Sequence, residues 1–324
     1  MTVDKTRTVN AYAALIPVLS LEPFQYQAQP LDDHDVEIAV SHCGVCGTDL
    51  HRIDGDHDVD THYPLVPGHE VVGKVSAVGS NVENLQVGDR VGVASIAFLP
   101  HTVNSKHQLD DFFGGFADYV RVHSSTVFKI PNVIPSDVAA PLFCAGVTVY
   151  KPLKEYTKPG QRVGIVGVGG LGHLAIEFAL ALDTIPVAFS HSPHKEEPAR
   201  WLGAEDFVLL DDPVAVETAV GTIDVLLVTC DARAQPWDLY ASFLKPKGSL
   251  IPVGLAAGVV EEEQCGIRIV RSLEYTLQDT RDMLELAADK GVRPVIHKLP
   301  MHQANQGLEL VKLGKARYRV VLEN

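Results

Sequence analysis

The sequence predicts an α/β protein of two domains, one mainly β and the other built on a doubly wound parallel sheet. Three observations carry that expectation. From about residue 8 to 130, short apolar runs are broken by glycine and proline at the spacing of strands and turns. From about 145 the period changes, and strands alternate with helical segments as in a parallel sheet covered by helices. At 324 residues the chain is also too long for one small core and suits two domains of ordinary size.

In the first region VEIAV, EVVGKVSAVG, DRVGVASIA, ADYVRV and VFKIP read as strands, with NVENLQVGD as a turn signal. The opening MTVDKTRTVNAYAALIPVLSLEP lacks the basic start, continuous apolar core and cleavage site of a signal peptide. Its AYAALIPVL is short and interrupted by Pro17, so it reads as a first strand. In the second region RVGIVG is a strand, LGHLAIEFALAL a helix, IPVAFS a strand, HKEEPARWLG a helix and DFVLL a strand. IDVLLV and GSLIPVG continue as strands. After about 280 come a helical TRDMLELAADKG, an extended RPVIHKLP, a helix near HQANQGLELVKLG and a terminal strand YRVVLE. One boundary falls near Tyr150 and a second near 275 to 290.

Hydrophobic residues at 46% and charged ones at 21% give the balance of a soluble globular protein. With 27 basic against 41 acidic residues the formal net charge is -14, which argues against nucleic acid or an anionic membrane as partner. No stretch reaches the roughly 18 to 20 apolar residues of a membrane span. Cys43, Cys46, Cys144, Cys230 and Cys265 are few, odd in number and scattered, so a reducing, cytoplasmic setting is expected rather than a disulfide framework.

The run Gly167-x-Gly169-Gly170-Leu171-Gly172 follows an apolar strand and opens an amphipathic helix. Glycines there permit a tight turn and let backbone N–H groups approach a pyrophosphate at the helix N-terminus. Without that flanking strand and helix it would read as an ordinary glycine-rich turn. A dinucleotide site for NAD usually carries Asp or Glu about 20 residues on, to bind the ribose 2′-hydroxyl. Here the next strand ends in Ser190-His191-Ser192, with Lys195 close behind and no carboxylate before Glu196. Two hydroxyls and an ammonium suit a 2′-phosphate, and the expected cofactor is NADP(H). The two serines also read as caps of the helix beginning near Pro193, and both roles can hold together.

A second cluster is Cys43-Gly-Val-Cys46-Gly-Thr48-Asp49-Leu-His51, followed by Pro67-Gly68-His69-Glu70 and then Pro141-Leu-Phe-Cys144-Ala-Gly-Val-Thr148. A Cys-x-x-Cys pair alone points to a zinc knuckle or a redox pair. The chain lacks the second close pair a knuckle needs, and the β context is foreign to a thioredoxin-like motif. These segments, with YPLVPGHEVVG, VGDRVGV, FGGFADYV, GVGGLGHLAI and ARYRVV, resemble the zinc-dependent medium-chain dehydrogenases, particularly the cinnamyl alcohol dehydrogenase branch. The resemblance spans nearly the whole chain. It implies a GroES-like catalytic domain over 1–150, completed by about 285–324, and a Rossmann NADP(H)-binding domain over 151–284, with the active site in the cleft between them.

By the same resemblance Cys46, His69 and Cys144 are zinc ligands with an open fourth position. Glu70 matches a carboxylate that approaches the metal, Asp49 a residue that orients His69, and Cys43 a neighbour outside the ligand set. The implied reaction is hydride transfer between nicotinamide C4 and a zinc-polarised carbonyl of a small aldehyde or alcohol. Thr48 would pass a proton through the cofactor ribose to His51, whose unperturbed pKa of about 6.5 allows exchange near neutrality. Thr148 is implied at the nicotinamide and Arg319 at the pyrophosphate. Read without the resemblance, His69 is a structural histidine, Thr48 a capping hydroxyl and His51 a surface imidazole. The alternatives on the same fold are reduction of an activated C=C or C=N (iminium) bond and, in a different class, non-catalytic NADPH binding.

The chain departs from the family in three places. Where members carry a four-cysteine lobe for a structural zinc, the stretch from Ala94 to Phe113 holds no cysteine, and His101 and His107 do not replace it, so no structural zinc is expected. Asp58 stands where relatives carry a bulky apolar residue of the substrate pocket, which favours a polar or cationic substrate unless the loop turns to water. Arg271-Ser-Leu-Glu274-Tyr replaces a small-residue segment near the nicotinamide. A homodimer through the sheet edge near GSLIPVG is expected from the resemblance alone.

Overall fold

The structure is a computed structural model that describes residues 7–55, 61–98, 113–231, 235–253, 262–264, 267–270 and 275–324. The chain divides into two compact units, residues up to Cys144 together with Pro294–Asn324, and Ala145–Arg293. The change of sequence period puts these junctions at 150 and about 285.

Among the described residues the first unit contains a seven-stranded sheet. Its path runs Ile296–Pro300, Arg319–Glu323, Asp35–Val45, Glu70–Val78, Arg90–Val93 and Val127–Lys129, with Tyr119–His123 paired to Asp35–Val45 off that path. The 11-residue strand Asp35–Val45 is the hub, meeting Glu70–Val78, Tyr119–His123 and Arg319–Glu323, all antiparallel. Most of its residues are buried, and VEIAV is accordingly apolar apart from Glu37. Val36, Ile38, Val45, Val71, Phe116, Val320 and Leu322 are buried in the core it anchors. A small hairpin, Thr8–Ala13 with Glu22–Gln27, stands apart from this sheet.

One charge sits in this apolar hub. Glu37 is buried and holds Arg121 at 2.6 Å, Arg7 at 2.9 Å and the Ser76 hydroxyl at 2.8 Å. Burial would raise its pKa, but the hydrogen bonds from Ser76, Arg121 and Arg7 outweigh burial and hold it below the ordinary carboxylate range. Elsewhere the strand expected over DRVGVASIA stops at Val93. The Ala97 N–H turns back to the Ala94 carbonyl, and Ser95–Phe98 forms a 3₁₀ turn.

The second unit is also built on a seven-stranded sheet among the described residues, ordered Asp206–Leu209, Ile185–Ser190, Arg162–Val166, Ile223–Val228, Leu244–Pro252, Ile267–Ile269 and Glu262–Gln264. All neighbours are parallel except the last pair. With Arg162–Val166 counted as first, the first six follow the doubly wound order in which the chain reverses beside its first strand. Helix Leu277–Lys290 shows why local sequence fixes its ends: Thr276 and Asp279 form a capping box, and Gly291 closes it at φ 74°. HKEEPARWLG resolves into a 3₁₀ turn, Pro193–Lys195, and a helix, Glu196–Trp201, in which Pro198 falls in the first turn where its missing N–H is harmless. Among the described residues no helix is long and apolar enough to cross a membrane.

Candidate metal centre and nucleotide loop

The centre is assembled in the first unit around one buried carboxylate. Cys46 precedes helix Gly47–Asp54 and forms a capping box with Asp49. Asp49 accepts from the Cys46 N–H at 2.9 Å, the Gly68 N–H at 2.9 Å and His69 Nδ1 at 3.0 Å. A carboxylate acceptor puts the imidazole proton on Nδ1 and leaves the lone pair on Nε2. That Nε2 is buried and has no hydrogen-bond partner. Cys144 arrives from the 3₁₀ turn Ala140–Phe143, whose Phe143 ring lies against Gly92, where a Cβ would collide with it. The ligand atoms of Cys46, His69, Glu70 and Cys144 all lie within 4.8 Å of one another, the one such group among the described residues.

Glu70 begins the strand Glu70–Val78 directly opposite Gly44. Its carboxylate lies over Gly44, where any Cβ would strike it. One oxygen is paired with the Arg319 guanidinium and the other, Oε2, is buried without a partner. Burial pushes the Glu70 carboxyl up to about 7, against the pull of Arg319. Arg319 is 6% exposed; burial opposes its charge, but Glu70 and the two thiols outweigh burial and raise its pKa. The Cys46 thiol is pulled well below its ordinary range by a hydrogen bond from Cys144, with His69 adding to the effect against burial. Cys144 is pushed up by that same bond and by burial. Burial opposes charge on His69, but Asp49 and then Cys46 outweigh it and raise the imidazole pKa. Two thiols, one imidazole lone pair and an unpartnered carboxylate oxygen form the soft, mixed donor set that suits zinc.

Thr48 and His51 share helix Gly47–Asp54 one turn apart, both half-buried, and Thr48 Oγ1 lies 3.7 Å from Cys46 Sγ. Cys43 stays outside the donor group, buried, with burial and then Asp49 pushing its thiol well up. Arg319, implied at a pyrophosphate, is placed beside Glu70. Thr148 is half-buried on helix Ala145–Tyr156. Asp58, His101, His107 and Arg271 to Glu274 lie outside the described residues, as does most of the stretch expected to lack a structural zinc.

In the second unit strand Arg162–Val166 leads into Gly167 at φ 91°, a conformation side chains rarely adopt. Gly169, Gly170 and Leu171 carry the loop to helix Gly172–Ala181, and a Cβ on Gly172 would run into the Gly167 carbonyl. Ser190 closes strand Ile185–Ser190 and accepts from the Ser192 N–H at 3.1 Å, while Ser192 makes no side-chain cap bond. His191 Nδ1 is 2.6 Å from Asp211, and Lys195 Nζ donates to the Val168 carbonyl at 2.9 Å. Sequence reasoning missed Asp211, Thr229 and His173 around this loop; the GLGH order holds a signal for His173 alone.

Residues 32–132 match the alcohol dehydrogenase GroES-like domain family. A probable mannitol dehydrogenase of Medicago sativa is 35% identical over 330 residues, spanning 94% of this chain and 91% of that protein. An aldehyde reductase of Synechocystis is 35% identical over 334 residues, spanning 98% and 99%. A cinnamyl alcohol dehydrogenase structure from Sorghum bicolor superposes with a TM-score of 0.89 at 34% identity, covering 98% of each chain. With the two sheets and these full-length likenesses together, the chain belongs to the medium-chain alcohol dehydrogenase family of oxidoreductases, on its cinnamyl alcohol dehydrogenase-like branch.

Proposed function

We propose that the chain is an NADPH-dependent zinc alcohol dehydrogenase working as an aldehyde reductase. Cys46, His69 and Cys144 hold the zinc and Glu70 stands beside it. The observation that carries this reading is the buried donor group, with His69 Nε2 directed by Asp49 and left without a protein partner. Two thiolates and a neutral imidazole would match the charge of one divalent zinc and leave a position for substrate. When bound, zinc supplies a Lewis acid for a carbonyl oxygen and the nicotinamide supplies the hydride.

The chain's own residues do the remaining work. Asp49 fixes the His69 tautomer. Thr48 offers its hydroxyl to the reacting oxygen, and His51, one turn on, exchanges the proton with water. Ser190, Ser192 and Lys195, with no carboxylate on that strand end, support a 2′-phosphate and therefore NADP(H). The relatives named above, a mannitol dehydrogenase, an aldehyde reductase and a cinnamyl alcohol dehydrogenase, share an alcohol–carbonyl pair, which supports carbonyl reduction over reduction of C=C or C=N. Purified protein is expected to carry about one zinc per chain and to oxidise NADPH with an aldehyde panel. Cys46→Ser should lose the metal and about a thousand-fold of turnover, the worth of several kcal/mol of Lewis-acid stabilisation, while still binding NADPH. Full turnover in metal-free protein would sink the reading.

A further inference from the structure

The nucleotide loop is held from behind by three side chains of different origin. Thr229 Oγ1, just beyond strand Ile223–Val228, lies 2.9 Å from the Val166 carbonyl and 2.8 Å from that of Gly167. Lys195 Nζ donates to the Val168 carbonyl at 2.9 Å. His173 Nδ1 donates to the Gly169 carbonyl at 2.9 Å, and its backbone N–H reaches the same oxygen at 3.0 Å. Three side chains thus reach four consecutive carbonyls, the single Thr229 proton being shared between two of them. Because each peptide is planar, fixing a carbonyl also fixes the following N–H, the group a loop of this kind offers to a pyrophosphate.

His173 belongs to the helix that follows the loop, and Thr229 follows the strand paired beside Arg162–Val166. Lys195 comes from the turn after strand Ile185–Ser190, whose backbone is tied in by Ser192 N–H to Ser190 Oγ at 3.1 Å and by Lys195 N–H to the Ser192 carbonyl at 3.0 Å. An ammonium carries three donors, so one group can hold a loop carbonyl and meet a phosphate oxygen at once.

We propose that Lys195 is a positioning residue as well as a 2′-phosphate ligand: through the Val168 carbonyl it sets the pyrophosphate loop and the adenosine-phosphate turn together. This rests on the NADP(H) reading above. A lysine held in this way has given up side-chain freedom before the cofactor arrives, which is preorganisation of both subsites by one group. The coupling makes Lys195 matter to a ligand that has no 2′-phosphate.

The test is calorimetric titration of the zinc-loaded full chain with NADP⁺, NAD⁺ and ADP-ribose, which keeps the pyrophosphate and lacks the 2′-phosphate. Lys195→Met is expected to weaken NADP⁺ at least about tenfold and ADP-ribose about three- to fivefold. Lys195→Arg, which keeps a charged donor, should hold ADP-ribose within about twofold of the wild type. An unchanged ADP-ribose affinity in Lys195→Met, in a protein whose wild type prefers NADP⁺, overturns the coupling alone. Equal losses for both ligands with a lowered Tm mark Lys195 as a packing residue and overturn it too. A wild type that prefers NAD⁺ overturns the cofactor reading and the coupling with it.

Discussion

Asp49 makes three hydrogen bonds with two oxygens, and each bond places a different part of the candidate metal centre. One orients His69, one fixes the backbone that carries Cys46, and one fixes Gly68, the residue before His69. Asp49→Asn would keep one oxygen and set an amide NH₂ against one of these N–H donors. We expect zinc affinity to fall about 10- to 100-fold, the usual cost of losing the carboxylate behind a ligating histidine. Competition with a chelator, read as zinc retained per chain, checks this. Retention equal to wild type would mean that the imidazole is oriented by packing alone. The centre was only partly legible at this scale. Cys46, His69 and Cys144 could be picked from their motifs through the family likeness. The Arg319 partner of Glu70 could not, because it lies 249 positions away and no local pattern links the two.

At the scale of elements, the pairing of Asp35–Val45 with Glu70–Val78 sets Gly44 opposite Glu70, and the missing side chain is what lets the carboxylate fold across the strand. Gly44→Ala should displace Glu70 and strain its pair with Arg319. A loss of about 3 kcal/mol in denaturant unfolding is expected, between ordinary overpacking and the breaking of a buried ion pair. Gly47→Ala is the control, since nothing lies within 4 Å of a Cβ added there. Equal stability of the two variants would show that Glu70 yields freely. Elements with a long period were readable in the sequence, such as Gly172–Ala181 and the strands of the parallel sheet. The seven-residue helix Pro213–Ala219 was not, being too short for a 3.6 repeat to show, although its Asp212 cap and Pro213 start stand in the sequence. Thr229 and Asp211 were hidden because each follows a neighbouring strand, and only the sheet order brings them to Gly167 and His191.

Across the whole molecule, a buried glutamate in one unit and a half-buried one in the other give opposite responses to pH. Glu37, in the first unit, titrates below its ordinary 4.5 in the folded state. The unfolded chain therefore takes up the proton first, and the stability Glu37 contributes is present above about pH 4.5 and lost on acidification. Glu177, in the second unit, is pushed by burial from 4.5 to about 7, with Arg293 opposing the shift, and its Oε2 has no partner. Here the folded state keeps the proton, so stability is full below 4.5 and declines as pH rises through about 7. The shift corresponds to on the order of 3 kcal/mol. Glu177→Gln should accordingly stabilise the second unit by up to about that amount near pH 8, with the gain gone near pH 4.5. Both tryptophans of the chain, Trp201 and Trp237, belong to the second unit, so their fluorescence during urea unfolding reports it directly. A pH-independent effect of Glu177→Gln would contradict the assignment.

The hub strand of the first unit is closed by Arg319–Glu323, which pairs with it from His42 to Val45, while the Asn324 amide reaches the carbonyls of Val40 and Ala117. During synthesis on the ribosome, Cys46, His69 and Cys144 therefore emerge long before the strand that completes their sheet and before the guanidinium that balances Glu70. The contiguous second unit can fold in the interval. Nascent chains would spend that time with Cys46, His69 and Cys144 made but their sheet incomplete, so the order in which translation delivers the segments sets a period in which the donor group exists without its full frame.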